Sequence, residues 1–175
     1  MTLTRRIVAA LTSAVFAGLL GTAGAATASE PWTGVVTWVV DGDTLHVRPL
    51  SGGKPVSVRI SGIDAPEICQ AGGVASRNAL RARVLGRAVR VTGRARDRYS
   101  RLVAGVAIDG HDVALWMVVQ GQAWSNRSRR SAGPYGVQQA QAQAARRGLF
   151  ASDASGSMLL EPSAFRKQHK SCHRV

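Results

Sequence analysis

Five short stretches of this chain read as β-strand, and one stretch of helical period falls between the third and the fourth. No other feature limits the possible fold as tightly. Thr33 to Val40 is rich in Val, Trp and Thr, the residues that suit a pleated, half-buried surface. Asp43 to Val47 continues as a second strand after the turn or bulge signal Asp41-Gly42. Alternation places Asp43, Leu45 and Val47 on one face and Thr44, His46 and Arg48 on the other. Val56, Val58 and Ile60 alternate with Ser57, Arg59 and Ser61, so Arg59 lies on the polar side of a third strand. Short links make these three strands an antiparallel meander.

The period then changes. Val74 to Leu85 carries Val74, Leu80, Val84 and Leu85 among Arg and Ala, a helical spacing that Gly86 ends. Arg87 to Thr92 and Leu102 to Ile108 return to alternation. Val113 to Gln120 predicts an apolar helix closed by Gly121, and Tyr135 to Arg147 a helix closed by Gly148. The order β-β-β-α-β-β-α-α is that of an OB-fold. The expected class is therefore α+β and dominated by its barrel: five strands with about three flanking helices.

Residues 29–152 form the expected domain. Residues 1–28 read as a signal peptide. Arg5 and Arg6 open it, Ile7 to Leu20 form an apolar run, and small residues offer cleavage near Ala25 or Ala28. Cleavage would leave a secreted chain, extracellular or periplasmic, with no membrane segment in the mature form. Residues 153–175 read as a loosely ordered basic tail. The whole chain carries +13. Without residues 1–28 it keeps 21 basic and 10 acidic residues, +11, a balance that favours polyanions as partners. Cys69 and Cys172 are the two cysteines. In an exported chain they imply one disulfide tethering the tail, the alternative being two free thiols.

Three clusters can carry chemistry: Asp41-Gly42-Asp43-Thr44; Arg59 with Asp64 and Glu67; and Asp97, Arg98, Tyr99 and Arg101. Asp43 heads an apolar face, and a buried carboxylate must be neutral, paired or bound to a cation. Asp64 precedes Ala65-Pro66, where proline holds Ala65 extended and fixes the direction of its carbonyl. Two carboxylates and a carbonyl start an oxygen site for a hard cation such as Ca2+ or Mg2+. Arg59 and Arg101 lie near the acids, and guanidinium forks match phosphate oxygens. Glu67 is the remaining carboxylate, free to position or deprotonate a water. Arg77, Arg81, Arg83, Arg127, Arg129 and Arg130 read as solvated surface.

With "DGDT" at 41–44, "VRISGIDAPE" at 58–67 and "DRYSR" at 97–101 in this order, the chain resembles the staphylococcal (micrococcal) nuclease family over roughly residues 33–150. The resemblance implies an OB-fold and a Ca2+-dependent phosphodiesterase, a monomer that cuts DNA and RNA to leave 3′-phosphates. It implies that Asp43, Asp64 and the Ala65 carbonyl bind calcium and that Glu67 acts on the attacking water. Arg59 and Arg101 would hold the reacting phosphate, and Arg98 and Tyr99 a neighbouring one. Ala65 stands where the founding member has threonine, and Ser100 where glycine is common. The family's tyrosine-bearing stretch is replaced by "SNRSRRSAGPY", which leaves Tyr135 as the candidate for a stacking ring. The alternative class is a non-catalytic OB-fold module that holds nucleic acid or another polyanion. The complete set of acids and arginines favours the enzyme.

Overall fold

A computed structural model describes residues 30–128, 131–151, 160–169 and 172; the expected signal peptide lies outside them. Strands β1 (Trp32–Val39), β2 (Thr44–Pro49) and β3 (Val56–Ile60) form the meander. Next come β4 (Ile63–Asp64), α1 (Gly73–Val84), β5 (Ala88–Arg96), β6 (Leu102–Ile108) and β7 (His111–Asp112). The described chain ends with α2 (Val113–Val119), β8 (Trp124–Ser125), α3 (Gly136–Ala144) and α4 (Pro162–His169). The main sheet runs β3-β2-β1-β5-β6-β7, and β3 also pairs parallel with β6. That pairing closes β1, β2, β3, β5 and β6 into the expected five-stranded barrel.

The alternation holds in space. Leu45, Val47, Val58, Ile60, Val89 and Val91 are buried inside the barrel, so each strand's apolar face points to one core. Helix α1 buries Leu80 and Val84 against it, and α2 buries Val113, Ala114, Met117 and Val118. Gly86 (φ 73°) follows the end of α1 in the left-handed conformation that glycine adopts without penalty. Asp112 caps α2, its Oδ1 accepting from the amides of Ala114 (2.8 Å) and Leu115 (3.3 Å). The glutamine-rich segment is an ordinary helix, α3. From it Gln139 accepts the Ser125 amide at 2.7 Å, and Ala142 is buried.

Two expectations need correction. The first concerns Gly42, expected to let the backbone bend. Its φ is not in the left-handed region; the site needs room instead. A Cβ there would overlap the Ser76 Oγ of α1 and sit 2.7 Å from the Ala65 Cβ. Asp41 does make the turn, its Oδ1 accepting the Asp43 amide at 3.0 Å.

The second concerns the tail, which is not loosely ordered over residues 160–169. It contains α4, a fourth flanking helix with proline in its first position, where the missing N–H costs nothing. A short basic segment has little helical tendency of its own. Tertiary ties hold this one: the Cys69–Cys172 disulfide, with Cα atoms 5.8 Å apart, and an Arg127–Glu161 ion pair at 2.9 Å.

Candidate active site

The turn before β2, the β3–β4 segment and the β5–β6 loop meet at one cleft of about 880 Å³. Asp43, Arg59, Ala65, Glu67, Arg98, Tyr99 and Arg101 all line it. Pairing explains the convergence. Thr44 lies opposite Arg59 across β2 and β3. Arg59 in turn lies beside Val103 across the barrel closure, two residues from Arg101. Asp64 is fixed by β4, where it pairs with Trp124 of β8.

Asp43 is buried, and both of its oxygens accept hydrogen bonds. Oδ2 accepts the Ala65 amide at 2.9 Å and the Arg59 guanidinium at 2.7 Å, and Oδ1 accepts the Thr44 hydroxyl at 3.0 Å. Burial raises its pKa, and the nearby Asp41 and Asp64 push the same way. Arg59 and the Ala65 amide pull down but lose, so the carboxyl is pushed up to about 7. Arg59 cannot neutralise it fully, because it also faces Asp64 Oδ1 at 3.3 Å and donates to the Ile63 carbonyl at 3.2 Å.

Arg101 is held by its own loop. Asp97 Oδ2 accepts from Arg101 Nε at 2.8 Å, and Asp97 Oδ1 accepts the amides of Arg101 (3.0 Å) and Tyr99 (2.9 Å). Desolvation alone would raise the Asp97 pKa. The hydrogen bonds from Arg101 and Tyr99 outweigh it and hold the carboxyl below its usual range. Arg101 Nη1 then reaches the Thr44 hydroxyl at 3.2 Å. Arg98 lies 4.8 Å from the Tyr99 ring centroid and bonds its hydroxyl at 2.7 Å. Ser100 takes φ 62°, so the loop keeps the left-handed turn that glycine would adopt without strain.

Tyr135 does not line the cleft. Its hydroxyl donates to Asp112 at 2.6 Å, and its ring packs against the core. Tyr99, 61% exposed, brings a phenol ring to the cleft, which His46 also lines.

Asp64 is also absent from the cleft lining, because Arg166 of α4 covers it. Arg166 Nη2 lies 2.8 Å from Asp64 Oδ2. Its Nη1 lies 3.1 Å from both Asp64 Oδ1 and Glu67 Oε1. Sequence reading missed this residue, as it missed the bridging role of Thr44 and the grip of Asp97 on Arg101. The one available signal was Cys172, which ties the segment holding Arg166 to a cysteine two residues after Glu67.

Carboxylates suited to a hard cation, set beside guanidinium groups suited to phosphate at the mouth of an OB barrel, define a phosphodiester-cleaving nuclease. The family description "Staphylococcal nuclease homologue" matches residues 57–152. The chain is 37% identical over 135 residues to an "Uncharacterized endonuclease" of Haemophilus influenzae, covering 77% of this chain and 73% of that protein. It is 39% identical over 122 residues to an "Uncharacterized endonuclease" of Escherichia coli O157:H7, covering 69% and 78% respectively. The chain belongs to the staphylococcal nuclease homologue family.

Proposed function

We propose that this protein is a secreted, Ca2+-dependent endonuclease that hydrolyses phosphodiester bonds of DNA and RNA and leaves 3′-phosphates. One observation carries the reading: Asp43, Glu67, Arg59 and Arg101, from separate segments of the chain, face one cleft.

The donors fit a hard cation. Asp43 and Asp64 offer only oxygen. Among the described residues no three His, Cys, Asp or Glu side chains group as a metal site, so a cation held by Asp43, Asp64 and the Ala65 carbonyl would depend on water and substrate oxygens for the rest of its shell. Burial first, then the nearby Asp41 and Asp64, raises the Asp43 pKa despite Arg59 at 2.7 Å, so further positive charge there would favour its ionised form. Asp43, Asp64 and the Ala65 carbonyl would hold calcium, whose charge offsets that of the phosphate and polarises bound water.

The chain's own groups do the rest. Arg59 and Arg101 take the phosphate oxygens and stabilise the charge that grows on them. Glu67 accepts a proton from water as its oxygen attacks phosphorus. The P–O5′ bond breaks, its electron pair stays on O5′, and that oxygen takes a proton from solvent water. Arg98 and Tyr99, which line the same cleft, would take a neighbouring phosphate, and a monomer suffices because one chain supplies every group. The Cys69–Cys172 bridge supports export, since such bonds persist in oxidising compartments.

The test is cleavage of plasmid DNA and of RNA by purified protein across a Ca2+ titration, with a chelator control. Cleavage of both that requires Ca2+ is expected. No cleavage at any Ca2+ level, with DNA binding retained, would instead make the protein a binding module.

A further inference from the structure

We propose that Arg166, carried on α4, is a tethered competitor for the cation site, and that the Cys69–Cys172 disulfide sets how strongly it competes. The inference rests on the cation site proposed above for Asp43 and Asp64.

The contacts are those of a substitute cation. Arg166 takes both oxygens of Asp64, at 2.8 Å and 3.1 Å, and one oxygen of Glu67 at 3.1 Å. A two-point fork on a carboxylate is among the strong, charge-assisted pairings of a guanidinium. Asp64 is thereby withdrawn from the cleft, while Arg166 lines it. Without Arg166, the Asp64 carboxylate would keep, among the described residues, only the Arg59 contact at 3.3 Å, and Glu67 would lose this ion pair.

A divalent cation would compete with this fork. It would draw on the same two Asp64 oxygens that Arg166 occupies, where Arg59 already faces Oδ1 at 3.3 Å, and a further positive centre on one carboxylate adds repulsion away from bulk water. Cation binding is therefore favoured when the guanidinium leaves Asp64. Its departure also frees Glu67 from the ion pair.

Helix α4 stays nearby because it is fastened at both ends. Glu161 pairs with Arg127 at 2.9 Å, and the Leu160 carbonyl accepts from Gln70 Nε2 at 2.5 Å. Pro162 is buried. Beyond the helix, Cys172 is bonded to Cys69. Cys69 and Gln70 follow Glu67 by two and three residues, so the fastening points lie beside the site itself. A displaced Arg166 thus remains at high effective concentration and can return. Opening the disulfide removes one fastening and lowers that concentration.

Isothermal titration calorimetry with Ca2+ tests this on four proteins that keep the whole C-terminal segment: wild type, Arg166→Ala, Arg166→Gln and the double variant Cys69→Ser/Cys172→Ser. Arg166→Ala should bind Ca2+ on the order of tenfold more tightly than wild type, and the double variant should fall between them. Thermal melts should show Arg166→Ala less stable than wild type in chelator and gaining more from added Ca2+. If the alanine variant folds poorly without cation, Arg166→Gln, neutral and of similar length, gives the affinity comparison. Wild type that binds Ca2+, with Arg166 variants that bind no tighter, would overturn the competition alone. No binding by any of the four would overturn the cation site as well.

Discussion

Asp97 grips Arg101 at two points, through the side-chain Nε at 2.8 Å and the backbone amide at 3.0 Å. The carboxylate also accepts the Tyr99 amide at 2.9 Å, and it aims the guanidinium proposed to hold the reacting phosphate. Asp97→Ala should therefore lower kcat/KM by about 10- to 100-fold, because small misplacements of a positioned group are costly. The loss should fall mainly on kcat, with Ca2+ affinity unchanged. Steady-state kinetics beside calorimetry check this, and an equal loss in Asp97→Asn would show that hydrogen bonding alone does not set the aim.

Calcium affinity should depend on pH through Asp43. Burial first, with Asp41 and Asp64 adding to it, pushes its carboxyl up to about 7. Below that pH the group is protonated and must release its proton before it can bind a cation. Affinity should then fall by up to about tenfold per pH unit below 7 and level off above. Calorimetry from pH 5.5 to 8.5, in buffers of different ionisation enthalpy, would detect the released proton. A flat profile would refute the assignment, and Asp43→Asn should abolish both the slope and most of the binding.

Glu67→Gln should cut turnover by at least about 100-fold while changing substrate affinity little, since the residue is assigned to water rather than to phosphate. Single-turnover rates and DNA-binding isotherms in the presence of Ca2+ separate the two. Full activity in this variant would remove Glu67 from its role.

Ser100 holds φ 62° in the loop that carries Arg101. A side chain in that region costs about 1 kcal/mol, which glycine avoids. Ser100→Gly should stabilise the fold by about 0.5–1 kcal/mol in urea denaturation, with an unchanged m-value. A destabilised variant would mean that the greater freedom of unfolded glycine outweighs the relief.

The barrel was legible because its signals are local. Leu45 and Val47, and likewise Val58 and Ile60, alternate within one strand, and each pair is buried as the period requires. Asp43 could be picked out for the same reason, since it continues the Leu45–Val47 face. The clustering of Asp43, Arg59, Ala65, Glu67, Arg98, Tyr99 and Arg101 at one cleft followed from the family resemblance rather than from periodicity. Arg166 followed from neither. It meets Asp64 from 102 residues away, on a helix whose order comes from a disulfide and an ion pair. Nothing in the local pattern of "PSAFRKQH" signals that. Gly42 misled for a related reason, because the atoms that demand its small size belong to Ser76 and Ala65.

The parallel β3–β6 pairing that closes the barrel has a kinetic consequence. It joins Val58 to Leu102 and Arg59 to Val103, segments 44 residues apart in sequence. Arg59 and Arg101 become neighbours only when this long loop is shut, an entropically expensive and hence late event in folding. A chain collapsed with its meander alone in place has both arginines but not the cleft proposed to be catalytic. Recovery of nuclease activity after dilution from denaturant should accordingly lag behind recovery of strand signal, which would make enzymatic turnover a clock for the last step of barrel assembly.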